Sequence, residues 1–297
     1  MNTLAKTNGK LNGVLTLLIL MLTTTIGFIP ILFIGLLKLF PNQQWKNYCT
    51  KKVDAIATIW SDLNNLYLNK LNPTTVKISG IEQFDPKDWY LVVANHQSWL
   101  DIVILQRIFN RKIPVLKFFI KDQLKWIPFL GFSWWAMGCP FMKRYSKEYL
   151  AKHPEKKGKD LEATQKAINV FKQTPASIMS FIEGTRFTGK KKEQQNSPYQ
   201  HLLKPKAGGV GFVISAMGQQ IHQLLDVTII YPNQEHSLWD FLSHRIDLIK
   251  VHIRQIPIPK QFLNANLFEE EPIQSEFRQW LNQKWAEKDE LIATMKA

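Results

Sequence analysis

The chain has 297 residues, enough for one large domain with a sizeable core plus an anchor, rather than two equal domains. Its 38 Lys and Arg against 24 Asp and Glu give a formal net charge of +14, which favours an anionic partner: nucleic acid, an anionic membrane face or a phosphorylated substrate. Cys49 and Cys139 lie far apart and form no C-x-x-C pair. This argues against a disulfide framework and a zinc knuckle, and favours a reducing compartment for the main domain.

An uncharged apolar segment extends from Val14 to Leu37 and exceeds the roughly 20 residues that cross a bilayer. It predicts a membrane segment. A cleaved signal peptide is the competing interpretation, but the segment is longer than a usual signal core and lacks a small-residue cleavage site. Gly27 and Pro30 interrupt its middle, so a membrane-spanning helix and a re-entrant hairpin both remain open. The lysines after it favour a cytoplasmic location for the rest of the chain: Lys38, Lys46, Lys51 and Lys52.

Apolar residues at helical spacing from Trp45 to Leu71 predict a helix that lies along the membrane face and ends before Pro73. We therefore divide the chain into an anchor with a membrane-surface helix, residues 1–72, and an α/β domain with a C-terminal helix, residues 73–297. Apolar runs rich in β-formers alternate there with helical patterns, which indicates an α/β domain. The predicted strands are 75–78, 89–94, 115–119, 177–182, 226–231 and 246–253, and the helices are near 98, 160–174, 207–217 and 276–296.

The stretch Asn95 to Asp101 follows one of these strands and opens a helix. Ser98 and Asp101 have the spacing of a capping box, which predicts Ser98 at the N-cap and Asp101 at N3. His96 then lies in the turn after the strand, where open α/β sheets place their ligands. Asp101 would accept a hydrogen bond from one imidazole nitrogen and leave the other as a base. The alternative is that Asp101 only caps the helix and His96 is a polar turn residue.

A second polar motif, Glu183 to Arg186, follows the strand at 177–182. Gly184 would let a ligand approach the backbone, Thr185 would donate a hydrogen bond, and Arg186 would bind a phosphate bidentately. The alternative for Arg186 is an ion pair with Glu183 or another surface carboxylate. Arg144 offers a second cation. The polar stretch 188–204 has the composition of a mobile surface loop, and its lysines at 190–192 are interpreted as a solvated or lipid-facing charge patch.

Several enzyme classes are not supported by the motifs. The sequence contains no G-x-S-x-G elbow, no H-E-x-x-H zinc motif and no phosphate loop of the G-x-x-x-x-G-K-[ST] type. A base without a protein nucleophile, together with cations at other strand ends, suits direct attack by a bound alcohol on an activated acyl group. A thioester donor makes this feasible, because a thiolate with a pKa near 8.5 leaves without strong acid assistance.

Three motifs in order carry a family resemblance. The sequence resembles the glycerolipid acyltransferases, typified by 1-acylglycerol-3-phosphate acyltransferase, over roughly residues 75 to 260. Within that family it is most similar to the membrane-anchored branch of lysocardiolipin and lysophosphatidylinositol acyltransferases and their bacterial relatives. The matching motifs are N-H-x-x-x-x-D at Asn95, His96 and Asp101, G-x-x-F-x-x-R at Gly138, Phe141 and Arg144, and F-x-E-G-T-R at Phe181 and Glu183 to Arg186.

The resemblance implies a mixed central sheet flanked by helices, with His96 as the base and Asp101 as its orienting partner. It places the acceptor phosphate at Glu183, Gly184, Thr185 and Arg186, with Arg144 as a further binding residue. It implies acyl-CoA or acyl-carrier protein as the acyl donor, no metal and no bound cofactor. Two positions depart from the family pattern: Pro140 in the second motif, and the fourth motif, which 227–232 meets only loosely.

We therefore expect a membrane-anchored acyltransferase that uses 1-acyl-sn-glycerol-3-phosphate as acceptor and gives phosphatidic acid. Its partners would be lysophospholipid and acyl thioester substrates and an anionic membrane surface, at a bacterial cytoplasmic (inner) membrane with the catalytic domain facing the cytoplasm. Two alternatives are an acyltransferase that remodels lysophospholipids with another headgroup and a non-catalytic lipid-binding protein of the membrane surface. We expect no nucleic-acid partner, because the apolar segment would then have no role.

Overall fold

A six-stranded mixed sheet forms the centre of the computed structural model, with strand order β1-β8-β7-β2-β6-β3. Only β7 and β8 pair antiparallel, and every other neighbouring pair is parallel. The structure describes residues 3–81, 83–142, 153, 168–169, 171–221, 223–232, 236–263, 265–267 and 271–296. The strands are β1, Thr75–Gly80; β2, Tyr90–Ala94; β3, Leu116–Phe118; β4, Ile120–Lys121; β5, Phe141–Met142; β6, Ser177–Phe181; β7, Gln223–Ile230; and β8, Leu248–Pro257.

Helices cover both faces of this sheet, so the expected mixed α/β architecture is confirmed. Short strands β4 and β5 form a separate parallel pair beside the main sheet. The helices are α1, Thr3–Leu37; α2, Gln43–Leu71; α3, Leu100–Phe109; α4, Leu130–Ala136; α5, Gly189–Gln194; α6, Ala207–Met217; α7, Leu238–Leu242; α8, Lys260–Leu263; and α9, Glu271–Lys296, with 3₁₀ turns at Asp122–Trp126 and Gly218–Gln220.

Strand β2 lies at the centre of the sheet and is buried at all five positions. Its neighbours β6 and β7 both run parallel to it, which explains why its sequence is a continuous apolar run rather than an alternating one. Successive side chains still point to opposite faces. Leu91 and Val93 join the apolar cluster under α6 and α9, whereas Tyr90, Val92 and Ala94 join the cluster under α3 and α7.

Helices α1 and α2 form an antiparallel hairpin. Gly27 lies against Trp60, and Thr23 donates to the Asn64 side chain at 3.1 Å, so later residues of α1 meet earlier residues of α2. Pro30 lies inside α1, which nonetheless continues to Leu37. Among the described helices, one is long and apolar enough to cross a membrane, the 9–37 part of α1.

Both ends of α1 contact the α/β domain. Near its beginning, Gly13 lies against Trp239 of α7, and near its end Gly35 lies against Phe132 of α4. The hairpin is also tied to the sheet, because the buried Lys117 of β3 forms an ion pair with Asp54 of α2. The helix therefore lies along the domain instead of projecting away from it.

Several element boundaries differ from those expected. Strands β7 and β8 are longer than predicted, since their pairing with each other extends both ladders beyond the apolar runs. The stretch expected to be a loop after residue 188 contains helix α5, which Thr188 begins by accepting a hydrogen bond from the backbone N–H of Lys191. The helix expected at 160–174 falls largely outside the described residues, of which 168, 169 and 171 are helical.

Candidate active site

Three neighbouring strands of the sheet end at the same edge. Strand β2 lies between β6 and β7, and Ala94 is level with Phe181 on one side and Val227 on the other. Because the three strands are parallel, the segments that follow them meet at one edge of the sheet. This edge brings together His96 from the segment after β2, Glu183 from the segment after β6, and Tyr231 from the segment after β7.

Asn95 attaches the β2 segment to β7. Its side-chain carbonyl accepts from the Ile229 backbone N–H at 2.8 Å, and its side-chain NH₂ donates to the Ile229 carbonyl at 2.9 Å. The Gln97 side chain donates to the same carbonyl at 2.8 Å. Asn95 is buried, and its amide replaces the next backbone pair of the ladder. The turn that carries His96 is therefore fixed to the sheet.

The His96 imidazole and the Asp101 carboxylate are in direct contact. Nδ1 of His96 lies 2.8 Å from Oδ2 of Asp101, which also accepts from the backbone N–H groups of Gln97 at 2.7 Å and Ser98 at 2.9 Å. Asp101 is fully buried, whereas 15% of the His96 side chain is exposed. Because a carboxylate oxygen accepts hydrogen bonds, Nδ1 is the nitrogen that carries the proton and donates it to Asp101. Nε2 then keeps its lone pair. The His96 ring stacks on Phe181 with 3.9 Å between ring centroids.

The beginning of α3 differs from the expected capping box. The helix begins at Leu100 with Trp99 at the N-cap position, and the Ser98 hydroxyl accepts from the Leu100 backbone N–H at 3.1 Å rather than from Asp101. The reciprocal half is present, because the Asp101 carboxylate accepts from Ser98. The difference arises because the segment before the helix curls around this carboxylate and brings His96 to it.

Tyr231 completes the surroundings of Asp101, and our sequence analysis missed it. Its hydroxyl donates to Oδ1 of Asp101 at 2.6 Å. Burial raises the pKa of Tyr231 well above its ordinary value, so the phenol remains a donor. Tyr231 falls within the loosely matching fourth motif. Its position as the last residue of the predicted strand 226–231, directly before Pro232, was the signal that could have identified it.

Glu183 is fully buried and faces the interior of the domain. Its Oε1 accepts from the backbone N–H of His96 at 2.9 Å, and its Oε2 accepts from the backbone N–H of Leu203 at 3.0 Å. Burial raises the pKa of this carboxyl to about 7, and the two backbone hydrogen bonds partly offset that effect. Glu183 therefore links the His96 turn to the segment before α6, and both of its oxygens are engaged there rather than with Arg186.

The residues after Glu183 form a turn with an open side. Gly184 has φ +72°, in the left-handed region, and a side chain there would meet the aliphatic end and Nζ of Lys206. Arg186 is exposed, and its guanidinium lies 5.6 Å from the ring centroid of Trp99. The Thr185 hydroxyl accepts from Nζ of Lys191 at 2.8 Å.

Lys191 thus departs from the expected charge patch, because it folds back onto this turn from α5. Arg144 lies outside the described residues, so the structure does not place it relative to Arg186. The other two residues of its motif are described, and Gly138 has φ +79°. Within the described part of the chain, no three His, Cys, Asp or Glu side chains are grouped so that they could hold a metal ion.

Comparison with known proteins adds to this geometry. The family model described as Acyltransferase matches residues 75–232, which include all three motifs. Lysophosphatidylinositol acyltransferase 10 of Caenorhabditis elegans is 26% identical over 293 residues, which cover 90% of this chain and 66% of that protein. 1-acyl-sn-glycerol-3-phosphate acyltransferase epsilon of Mus musculus is 24% identical over 228 residues, which cover 69% of this chain and 58% of that protein. The chain thus spans less than two thirds of the length of either relative.

A solved structure has the same fold. The crystal structure of the 1-acyl-sn-glycerophosphate acyltransferase PlsC from Thermotoga maritima superposes with a TM-score of 0.56 at 18% sequence identity. The match covers 96% of this chain and 98% of that one, so it includes the helical hairpin as well as the sheet.

Proposed function

This chain belongs to the Acyltransferase family, as its motifs predicted, and on that premise we propose that it transfers a fatty acyl group from a thioester donor to the free hydroxyl of a lysophospholipid. The observation that carries the proposal is the 2.8 Å contact between Nδ1 of His96 and the buried Asp101, at the edge of the sheet where Thr185 and Arg186 also lie. We take acyl-CoA or acyl-carrier protein as the donor.

In this proposal His96 is the general base. Its Nε2 accepts the proton of the acceptor hydroxyl as that oxygen attacks the thioester carbonyl carbon. The bond between the carbonyl carbon and sulfur then breaks, and the imidazolium gives its proton to the leaving thiolate. Asp101 holds the imidazole in the required tautomer and stabilises its positive charge between these two steps.

The acceptor phosphate would bind at the turn after β6. Arg186 is exposed, so its guanidinium could bind the phosphate bidentately, and the Thr185 hydroxyl lies on the same turn. Glu183 supports this site indirectly, because its carboxylate holds the backbone of His96 and of Leu203. We retain Arg144 as a further cation of the site on the strength of its motif.

We take 1-acyl-sn-glycerol-3-phosphate as the acceptor, giving phosphatidic acid. One observation favours a second candidate, the remodelling of lysophospholipids with another headgroup: the relative that aligns with 90% of this chain is named a lysophosphatidylinositol acyltransferase. The two candidates share the same chemistry and differ only in the headgroup that lies beyond the phosphate.

A membrane face would bring this site to its insoluble substrate. Exposed aromatic residues of the 122–136 segment lie beside α1, where Phe28 contacts Phe129 with 4.9 Å between ring centroids. Trp126 is 80% exposed, and Lys125 lies 5.4 Å from its ring centroid. Aromatic and basic side chains favour the headgroup region of an anionic bilayer. Because both ends of α1 contact the domain, we propose that the hairpin enters the membrane from one side.

The division into an anchor of residues 1–72 and an acyltransferase domain of residues 73–297 belongs to the same proposal. We assign the catalytic domain to the cytoplasmic side of the membrane. A bacterial inner membrane remains our prediction, and the curated relatives described above are from a nematode and a mouse.

Transfer from labelled acyl-CoA or acyl-carrier protein to a panel of lysophospholipids tests the function. Membranes containing the wild type should form product, and so should those containing His252→Ala, a histidine of β8 whose ring contacts Ser79 of β1 at 2.9 Å. Membranes containing His96→Ala should form almost none while the protein stays in the membrane. Equal transfer by His96→Ala would refute the assigned base. Binding of the wild type to anionic vesicles without any transfer would favour the non-catalytic alternative.

A further inference from the structure

Cationic side chains from three elements surround the turn at 184–186. Arg186 belongs to the turn itself, Lys191 to α5, and Lys206 to the segment before α6. Lys206 lies across Gly184, and its backbone N–H donates to the carbonyl of Ile182 at 2.7 Å. Lys191 contacts Thr185 and Arg186 of the same turn. Only Arg186 of these three belongs to a motif that our sequence analysis used.

The ammonium group of Lys191 is held by two oxygens of the turn. Its Nζ donates to the Thr185 hydroxyl at 2.8 Å and to the Arg186 carbonyl at 3.0 Å. The side chain is partly buried, whereas that of its neighbour Lys190 is exposed. Lys191 therefore differs from an ordinary surface lysine, because its position is fixed relative to the two residues proposed to bind the phosphate.

This arrangement determines the direction of the Thr185 hydroxyl. An ammonium group has three N–H donors and no acceptor, so the Thr185 oxygen must accept from Lys191. The hydroxyl hydrogen of Thr185 is then available to donate to another group. Two of the Lys191 hydrogens are used in these two bonds, and neither bond uses the third.

We propose that Lys191 is a specificity-determining residue of the acceptor site and selects lysophospholipids whose phosphate is a monoester. This inference rests on the proposed function. At neutral pH a phosphate monoester carries a charge of about −1.5 to −2, because its second pKa is near 6, whereas a phosphodiester carries only one negative charge. Arg186 and Lys191 are two of the cations of this site, and the second negative charge of a monoester is the charge that a cation beyond the first can match. With a diester, the second cation would be desolvated without a matching charge.

Equilibrium binding tests this directly. The full chain in neutral detergent micelles would be titrated with radiolabelled lysophosphatidic acid, a monoester, and with lysophosphatidylglycerol, a diester. We expect Lys191→Met to weaken binding of the monoester about tenfold, which is the loss expected for one charged contact. Binding of the diester should weaken less than about twofold. Lys190→Met, one position away on the same short helix, should change neither, and Lys191→Arg should retain most of the preference.

A double-variant comparison separates orientation from charge. If Lys191 also orients the Thr185 hydroxyl, the losses caused by Thr185→Val and Lys191→Met are not independent. The double variant should then bind the monoester more tightly than the product of the two single losses predicts. If the loss of affinity in the double variant equals the product of the two single losses, Lys191 does not orient the Thr185 hydroxyl and contributes only its charge.

The outcomes for Lys191 and for the proposed function are distinguishable. The inference is wrong if Lys191→Met has the same affinity as Lys190→Met for each of the two lipids. It is also wrong if Lys191→Met weakens the binding of both lipids by the same factor. Neither conclusion depends on the turnover of the wild type. If the wild type transfers no acyl group but its binding depends on Lys191 as expected, the proposed reaction fails and the phosphate site remains. A thermal unfolding curve for each variant shows whether the fold itself has changed.

Discussion

The hydroxyl of Tyr231 donates a 2.6 Å hydrogen bond to Oδ1 of Asp101, the carboxylate oxygen that His96 leaves free. One side of the carboxylate thus orients the imidazole, and the other is fixed to the end of β7. Because Asp101 is fully buried, each of its donors limits how far the carboxylate can move. Tyr231 therefore acts on His96 through Asp101 and is a positioning residue.

We expect Tyr231→Phe to lower kcat about tenfold to hundredfold and to change the KM for the acceptor less than twofold. The variant loses one hydrogen bond to a charged group, worth about 1.5–3 kcal/mol, without removing a contact with substrate. With one donor fewer, Asp101 stabilises the imidazolium more strongly, so the acidic limb of the pH–rate profile should move to higher pH. The measurement is steady-state kinetics across pH 5 to 9.

Tyr199→Phe is the matched control, because its phenol donates to the carbonyl of Asn282 at 3.2 Å, away from Asp101. It should leave kcat and the pH profile unchanged. A Tyr231→Phe enzyme with a normal pH profile and a proportionate loss of folded protein would indicate a purely structural role for the phenol.

We expect Glu183→Gln to be strongly destabilising although the side chains have the same shape. Both carboxylate oxygens accept from backbone N–H groups, of His96 and of Leu203, so a side-chain NH₂ must face one of these donors. A buried donor left without an acceptor costs about 1–3 kcal/mol. The Tm of thermal unfolding and the rate of acyl transfer should both fall. Glu193→Gln, at an exposed position of α5, should change neither. If Glu183→Gln is as stable as the wild type, the segments that contain His96 and Leu203 are held together by other contacts.

The same carboxyl predicts a pH dependence of stability. Burial raises the pKa of Glu183 from 4.5 to about 7. Between these pH values the folded protein keeps a proton that the unfolded chain releases, so this group makes the free energy of unfolding decrease as pH rises from about 4.5 to 7. Glu183→Gln lacks the titration. The difference in Tm between wild type and variant should therefore narrow across this interval, and a difference that widens would contradict the raised pKa.

A nitroxide label at position 126 tests the proposed membrane face. In vesicles containing anionic lipid, a label on Trp126→Cys should be relaxed by membrane-soluble oxygen more than by an aqueous nickel complex. A label on Glu290→Cys should show the reverse, since α9 packs on the other face of the sheet from α1 and α7. The native cysteines are buried. Equal aqueous exposure of both labels would exclude the 122–136 segment from the membrane.

The sequence could predict contacts that lie within one local pattern. His96 and Asp101 are five positions apart between a strand and a helix, so their spacing predicted the contact, although only half of the capping box expected with it is present. The strands of the sheet were also predicted, because apolar runs of β-formers are local. Their order was not, since it depends on which strands pair across the whole domain.

The residues that sequence analysis missed are those whose role depends on that order. Tyr231 is 130 residues from Asp101 in the chain, and only the pairing of β7 with β2 brings it there. Lys191 is near its partner Thr185 in sequence, but it is the middle one of three consecutive lysines, and the sequence does not distinguish it from the other two. Only the helix that begins after Thr188 distinguishes it from them.

The attachment of Asn95 to Ile229 has a consequence for biosynthesis. The ribosome releases the hairpin first and the complete His96–Asp101 segment soon after. The Asn95 amide, however, meets Ile229, and Oδ1 of Asp101 meets Tyr231, only when β7 and the residue that follows it have been translated. Contacts of such long sequence separation form late in folding. A nascent chain that lacks β7 can therefore bring the His96 imidazole to Asp101, but it cannot fix this pair to the sheet.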